Sequence, residues 1–237
     1  MIEGMKAEEL AVVQGWEDTR LTLARWRRTP LAVLGPWVLG SLTVAVALLA
    51  AIWSVAELST PDPSGNVLPG LSQPAVLGDV AFLLYRNGLV LALHALACVA
   101  GFMARSSLPV VAEGYTGVWR RIHERAGTFA IGFVLVATLF SLATQAYALG
   151  HAASDLAWQL DISPLVLLAG LLPHALPELA ALFLPLAAWT LAARRNAWEE
   201  LLAATFVTVA VAVPVLVAAA LIETYVTPEL LAILSEA

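Results

Sequence analysis

The sequence predicts an all-α protein, a polytopic transmembrane bundle of about five helices. Of its 237 residues, 60% are hydrophobic and only 13% are charged, whereas a soluble domain has about 25% charged residues. The mean hydropathy is +0.84. Long apolar segments alternate with short polar ones, and each apolar segment can cross roughly 30 Å of hydrocarbon at about 1.5 Å per residue. These observations exclude a sizeable soluble domain.

An amphipathic helix is predicted first, within a cytoplasmic arm at residues 1–29. The residues near its apolar face are Val12, Trp16, Leu23 and Trp26. Arginines lie elsewhere on the helix, which is the pattern of an interfacial helix on an anionic leaflet. A helix that binds a protein partner is the alternative interpretation.

Five membrane spans follow within a bundle at residues 30–237. They are predicted at about residues 30–56, 80–104, 126–150, 164–193 and 201–222. The fourth would be roughly 45 Å long, so it must tilt, kink or contain a re-entrant portion. Its internal prolines, Pro173 and Pro177 among them, favour a kink or a broken helix.

The arginines orient these spans, because basic residues concentrate in cytoplasmic segments. They precede the first span, separate the second from the third, and follow the fourth: Arg20, Arg25, Arg27, Arg28, Arg105, Arg120, Arg121, Arg125, Arg194 and Arg195. The other segments are acidic, with Glu57, Asp62, Asp79, Asp155, Asp161, Glu223, Glu229 and Glu236. Arg86, just inside the second span, is the exception. We expect five crossings of a bacterial plasma membrane, with the N-terminus cytoplasmic and the C-terminus outside.

The net charge and the cysteine count limit which partners and cross-links are expected. The formal net charge of −6 argues against nucleic acid, which needs a basic face. The single cysteine, Cys98, cannot form an intrachain disulfide and is expected to be a small buried residue.

Polar residues inside the spans are the candidate functional residues, because ionisable groups persist in hydrocarbon only with a partner or a purpose. His174 and Glu178 lie one turn apart in the fourth span, each directly after a proline. The second span places five such positions on one face: Asn87, His94, Cys98, Gly101 and Arg105. The third places Thr138, Ser141 and Gln145 on one face. A polar intramembrane cluster of Asn87, His94, Gln145, His174 and Glu178 is therefore predicted.

Three functions compete for these residues. A metal site would use His94, His174 and Glu178, which are ligand types for zinc, but the second histidine of HExxH is missing. Intramembrane hydrolysis could use Glu199 and Glu200, but the arginine expected a turn later is absent, and there is no GxSxG. A structural hydrogen-bonded cluster, or a transport path through the same groups, remains. We expect no metal, no cofactor and no catalytic residue.

Three segments resemble the stage II sporulation protein M family. LLPHALPELAALFLPLAAWTLAARR, with Pro173, His174 and Glu178, resembles its LPHGxxELPAxxLAGAAGL-type motif. AAALIETYVTPEL, from Ala218 to Leu230, is similar to its AAxIEAFVTP terminus, and Asn87 resembles the asparagine that opens its second helix. The resemblance covers roughly Leu83 to Pro228. This chain departs from the motif at Ala175, Phe183, Pro185 and Trp189, and AEGYTG (Ala112 to Gly117) replaces a YNG-like segment.

The resemblance implies a multispan membrane protein without known catalysis. The namesake holds cell-wall hydrolases on the membrane of spore formers, and other relatives look like accessory subunits for circular bacteriocins. We therefore expect a noncatalytic scaffold or assembly subunit, with lipid, other envelope proteins or further copies of itself as partners. His174, Glu178 and Glu223 would form an interhelical cluster, with Glu223 and Pro228 at the outer end of the last span. A permease-like subunit is the alternative, and an intramembrane hydrolase is a weaker one.

Overall fold

The computed structural model describes residues 7–62, 74–104 and 116–236. Within these ranges the chain is helical and contains no strand, which confirms the all-α prediction. The helices are α1 (Ala7–Trp26), α2 (Pro30–Leu58), α3 (Leu77–Phe102), α4 (Gly117–Gln159), α5 (Pro164–Arg195), α6 (Leu201–Tyr225) and α7 (Thr227–Ser235). A 3₁₀ turn, Trp198–Glu200, precedes α6.

Five of these helices, α2 to α6, are long and apolar enough to cross a membrane, as predicted. The largest difference concerns α4, predicted at residues 126–150 but extending over Gly117–Gln159. Its apolar part is Gly132–Gln159. The helix extends past the apolar run because no proline interrupts the chain before Pro164. It ends at Gln159. Asp161 beyond it has a φ of 55°, and the Ile162 amide donates to the Ala157 carbonyl, as in a Schellman cap.

Helix α5 is continuous from Pro164 to Arg195, so the expectation of a broken or re-entrant fourth span is wrong, whereas the expected tilt or kink stays a prediction. Prolines inside a membrane helix are tolerated where neighbouring groups compensate for the lost hydrogen bonds. The helix ends at Asn196, whose φ is 56°, and the Ala197 amide donates to the Ala192 carbonyl at 2.9 Å. This cap leads directly into the 3₁₀ turn.

The chain divides into two compact units. The first contains the described residues of Met1–Gly40, Leu91–Ala137 and Leu184–Ala210. Its core is formed by Trp26, Trp37, Leu184, Ala188, Ala203 and Ala204, and the rings of Trp26 and Trp37 meet edge to face with centroids 5.1 Å apart. Gly101 allows α3 to approach α5, because a Cβ there would lie 2.7 Å from Trp189 Nε1.

Helix α1 packs inside this first unit. Thr22 and Trp26 are buried, and a Cβ on Gly15 would lie 3.0 Å from both Leu202 and Phe102 side-chain atoms. Trp16, predicted on the apolar face, is 73% exposed. The side chain of Val12 lies outside the described residues. The buried face of α1 therefore follows Gly15, Thr22 and Trp26, which is rotated from the predicted stripe.

The second unit contains the described residues of Ser41–Val90, Thr138–Phe183 and Val211–Ala237. Helices α2 and α4 meet at Gly150, where a Cβ would lie 2.5 Å from Val55 Cβ. Asp155, expected between spans, is a buried part of α4 and accepts a 2.7 Å hydrogen bond from the Asp62 amide.

Helix α7 also belongs to the second unit and was not predicted. Leu231 is fully buried, and a Cβ on Gly170 of α5 would lie 2.8 Å from Leu231 Cδ2. Pro228 lies in the first turn of α7, where its missing N–H costs no helical hydrogen bond. The tail after the last span is thus a packed element of this unit.

Candidate functional site

Helix α3 directs the predicted polar face into the protein. Cys98 is fully buried and His94 is 9% exposed. The Cys98 thiol donates to the Pro185 carbonyl of α5, with Sγ and O 3.3 Å apart. Arg105, the last predicted position on this face, lies outside the described residues. His94 and Cys98 belong to the first unit, whereas Asn87 belongs to the second.

Glu178 is the centre of a polar cluster in the second unit. Its carboxyl interacts with Glu223 of α6 and with Asn87 and Arg86 of α3. Arg86 also interacts with Glu223. We call Arg86, Asn87, Glu178 and Glu223 the polar cluster. Its two carboxyl groups and Asn87 are half-buried, Arg86 is exposed, and the four residues lie on α3, α5 and α6.

Buried atoms of the polar cluster retain hydrogen-bonding capacity. Within the described part of the chain, Asn87 Nδ2, Glu178 Oε2 and Thr224 Oγ1 are buried without a hydrogen-bond partner. Asn87 therefore lies beside Glu178 without forming a hydrogen bond of ordinary geometry through Nδ2. Asn87 Nδ2 remains able to donate a hydrogen bond and Glu178 Oε2 to accept one.

His174 makes a separate contact, one turn before Glu178. Its Nδ1 lies 2.9 Å from Thr227 Oγ1, and the Thr227 hydroxyl donates to the Ile222 carbonyl at 3.2 Å. Because a hydroxyl has one proton, this arrangement makes His174 Nδ1 the donor to Thr227. His174 thereby ties α5 to the junction of α6 and α7.

The other predicted site residues lie elsewhere. Gln145 Nε2 donates to Ser141 Oγ of its own helix at 2.9 Å. His94 lies in the first unit, and Pro228 opens α7. The structure therefore brings Asn87, Glu178 and Glu223 together, anchors His174 on Thr227, and keeps Gln145 in a contact within α4.

Arg86 of the polar cluster and Thr227, the partner of His174, were not among the predicted site residues. Arg86 carried a signal, since it is the one arginine that interrupts the alternation of charged segments. Its guanidinium also lies 5.8 Å from the centroid of the Phe82 ring. Thr227 lies in the segment AAALIETYVTPEL, but that resemblance did not indicate its contact with His174.

The structure also shows the residues of the two other predicted alternatives, the metal site and the paired carboxylates Glu199 and Glu200. Among the described residues, no three His, Cys, Asp or Glu side chains lie together as metal ligands would. Glu199 and Glu200 lie in the 3₁₀ turn before α6, and the Glu200 carboxylate is hydrogen-bonded to the Arg25 guanidinium of α1.

Glu199 also acts on α1. Burial, and then the negative charges of Glu199 and Glu17, raise the pKa of Asp18 above its usual value. Glu200 thus pairs with α1, and Glu199 adds negative charge that acts on Asp18.

Comparison with known protein families gives a match. Residues 41–228 match the model of the family described as stage II sporulation protein M. This range includes Arg86, Asn87, His174, Glu178, Glu223 and Thr227. No curated protein matches, and no solved structure matches.

Proposed function

The chain belongs to the stage II sporulation protein M family, and we propose that it acts as a noncatalytic scaffold or assembly subunit. With five apolar helices, it is a multi-pass membrane protein. The proposed location is the bacterial plasma membrane. The observation that carries the proposal is the polar cluster, because its side chains lie on three helices and act on one another electrostatically.

Polar contacts of this kind hold membrane helices in register. Hydrocarbon gives little drive for helices to associate, and an interhelical hydrogen bond contributes about 0.6–2 kcal/mol. In the second unit, the polar cluster joins α3, α5 and α6, while His174 and Thr227 join α5 to α7. Fixing these helices fixes the surface at their ends, which is what a scaffold requires.

The exposed surface of the second unit is acidic. Its exposed carboxylates include Glu57, Asp62, Asp161, Glu229 and Glu236. A partner would present complementary basic groups, since opposite potentials speed association and select partners. The proposed partners are other envelope proteins or further copies of the chain.

The test is recovery of the protein from its native membrane in mild detergent. A scaffold should co-purify with a partner at a fixed ratio. Replacing Glu229 and Glu236 with glutamine should reduce the recovered partner, whereas Arg194→Gln should not. A single protein species, monodisperse and without a partner, would contradict the scaffold proposal.

The permease-like alternative is favoured by one observation, the buried unpartnered atoms of Asn87 and Glu178. A transport path would hydrate these atoms from bulk water on one side of the membrane. A scaffold needs at most an enclosed water. Chemical access to position 178 therefore separates the two functions.

A further inference from the structure

The inner side of α7 is held against the second unit. Thr227 and Leu231 are buried, and Thr227 meets His174 of α5. One turn earlier in α5, a Cβ on Gly170 would lie 2.8 Å from Leu231 Cδ2 and 3.0 Å from Leu234 Cδ1. These contacts fix the position of α7, so a molecule that binds its other side does not have to order the helix first.

The other side of α7 is exposed and presents two apolar and two acidic side chains. They are spaced three, four and three positions apart, which places them on one side of a helix: Val226, Glu229, Ile233 and Glu236. Val226 and Glu236 flank α7 and have right-handed helical backbone angles. Val226 is 50% exposed and Ile233 is 65% exposed. We call these four residues the outer face of α7.

The composition of the outer face indicates a protein partner rather than acyl chains. The exposed carboxylates of Glu229 and Glu236 would be costly in hydrocarbon, so this face borders water or lipid headgroups. Two carboxylates also repel the phosphates of a lipid surface. Apolar anchors three or four positions apart, flanked by charges, are instead the pattern by which one helix recognises another.

The second unit does not supply positive charge to the outer face. Among its described residues, Arg86 is the one lysine or arginine, and it interacts with Glu178 and Glu223 of the polar cluster. The other arginines of the chain belong to segments predicted on the cytoplasmic side, whereas α7 follows the last span and is predicted outside. Further copies of the chain in the same membrane would therefore not bring those arginines to α7.

We propose that the outer face of α7 docks a cationic amphipathic helix of a different envelope protein. Its lysine or arginine residues would lie opposite Glu229 and Glu236, and its apolar residues would cover Val226 and Ile233. Complementary charges beside apolar anchors fix the register of such a pair and select the partner. The inference rests on the proposed scaffold function and names the chemistry of the partner.

The experiment measures binding of a fluorescent synthetic helix to the full chain in phosphatidylcholine nanodiscs, by fluorescence anisotropy. The peptide carries lysine and leucine on one face, at spacings of three and four residues, with alanine and glutamine elsewhere. It should bind the loaded nanodiscs and not empty ones. A peptide of the same composition with scrambled spacing should bind about tenfold more weakly, because its leucines no longer lie beside its lysines.

Two variants of the chain test the two kinds of contact. Ile233→Ser should raise Kd about tenfold, the loss expected for one covered isoleucine. Glu229→Gln combined with Glu236→Gln should raise Kd by a similar factor at low salt and by less at high salt, since salt screens exposed charges. Glu57→Gln is the matched control, because Glu57 is an exposed carboxylate of the second unit outside α7, and it should leave Kd unchanged.

Equal affinity for the parent chain and the Ile233→Ser variant, or for the ordered and scrambled peptides, would overturn the proposal. Equal binding to empty nanodiscs would assign the peptide to the lipid surface and overturn it as well. Failure of the scaffold function looks different, since the parent chain would then co-purify with no native partner. A native partner that co-purifies undiminished with the Ile233→Ser variant would leave the scaffold function intact and contradict docking on α7.

Discussion

The groups around Glu178 cannot neutralise all of one another's charges or complete all of one another's hydrogen bonds. Arg86 offers one positive charge to two carboxyl groups, Glu178 and Glu223, and Asn87 Nδ2 remains without a partner in the described chain. An unsatisfied buried polar group costs about 1–3 kcal/mol. Removing a further polar group from the polar cluster should therefore change the free energy of unfolding by a measurable amount.

Replacing Glu178 tests this balance. Glu178→Ala removes a half-buried side chain and its electrostatic interaction with Arg86, so it should lower the free energy of unfolding by about 0.5–3 kcal/mol. Glu178→Gln keeps the shape and one acceptor, and should cost less. Denaturant unfolding in detergent measures both. Glu229→Ala, at an exposed carboxylate, is the control, and an equal effect there would remove Glu178 from a structural role.

The contact between His174 and Thr227 can be isolated by a double-mutant cycle. His174→Ala, Thr227→Val and the double variant should give a coupling energy of about 0.6–1.7 kcal/mol, the range for interhelical hydrogen bonds in membranes. Thr190 bonds to a carbonyl of its own helix, so the cycle with Thr190→Val should show additive effects. Additivity in the Thr227 cycle would mean that His174 does not hold α7.

Sequence alone could identify His174 and Glu178, because an ionisable residue in an apolar run is conspicuous. It could not identify Thr227, whose role depends on α7 folding back beside α5. It placed Arg86 at a span boundary, although the residue contributes the positive charge of the polar cluster. The missing information was which helices are neighbours, and periodicity within one helix cannot supply it.

At the scale of elements, both packing and an ion pair attach α1 to the first unit. Their contributions to the free energy are unequal. Its ion pair with Glu200 involves an Arg25 side chain that is 63% exposed, and exposed pairs contribute about 0.2–1 kcal/mol. Gly15 instead lies where a Cβ would meet Leu202 and Phe102, and overpacking costs about 1–3 kcal/mol. Packing should therefore dominate the attachment of α1.

Two variants compare these contributions. Gly15→Leu should release α1 and speed tryptic cleavage after Arg20, whereas Arg25→Ala should have a smaller effect. Gly35→Leu is the control, because nothing lies within 4 Å of a Cβ built there. If Arg25→Ala releases α1 more than Gly15→Leu does, the ion pair rather than packing attaches the helix.

The lengths of the elements were predictable where composition changes abruptly. Helices α2 and α5 begin where the spans were predicted to begin, because Pro30 and Pro164 are their first residues. Helix α4 extends well beyond its apolar run because hydropathy marks the membrane-compatible part of a helix and not its ends. Helix α7 is short, and its nine residues gave no periodic signal strong enough to predict it.

At the scale of the whole molecule, five long apolar helices are an odd number of crossings, so the two ends of the chain should lie on opposite sides. We predict a cytoplasmic N-terminus and an external C-terminus from the arginine distribution. A reporter active only in the cytoplasm should work at the N-terminus and fail at the C-terminus. Activity of the same reporter at both ends would contradict five crossings.

The most direct test of the central claim, that the polar cluster is a packed joint and not a transport path, is thiol access to position 178. Cys98 is the single cysteine, so Cys98→Ala gives a background for Glu178→Cys, with Glu229→Cys and Arg194→Cys as exposed controls. A membrane-impermeant maleimide should label the two controls from opposite sides and leave position 178 unlabelled. Labelling at position 178 from one side, at a rate close to that side's control, would contradict a packed joint and favour a water-filled path.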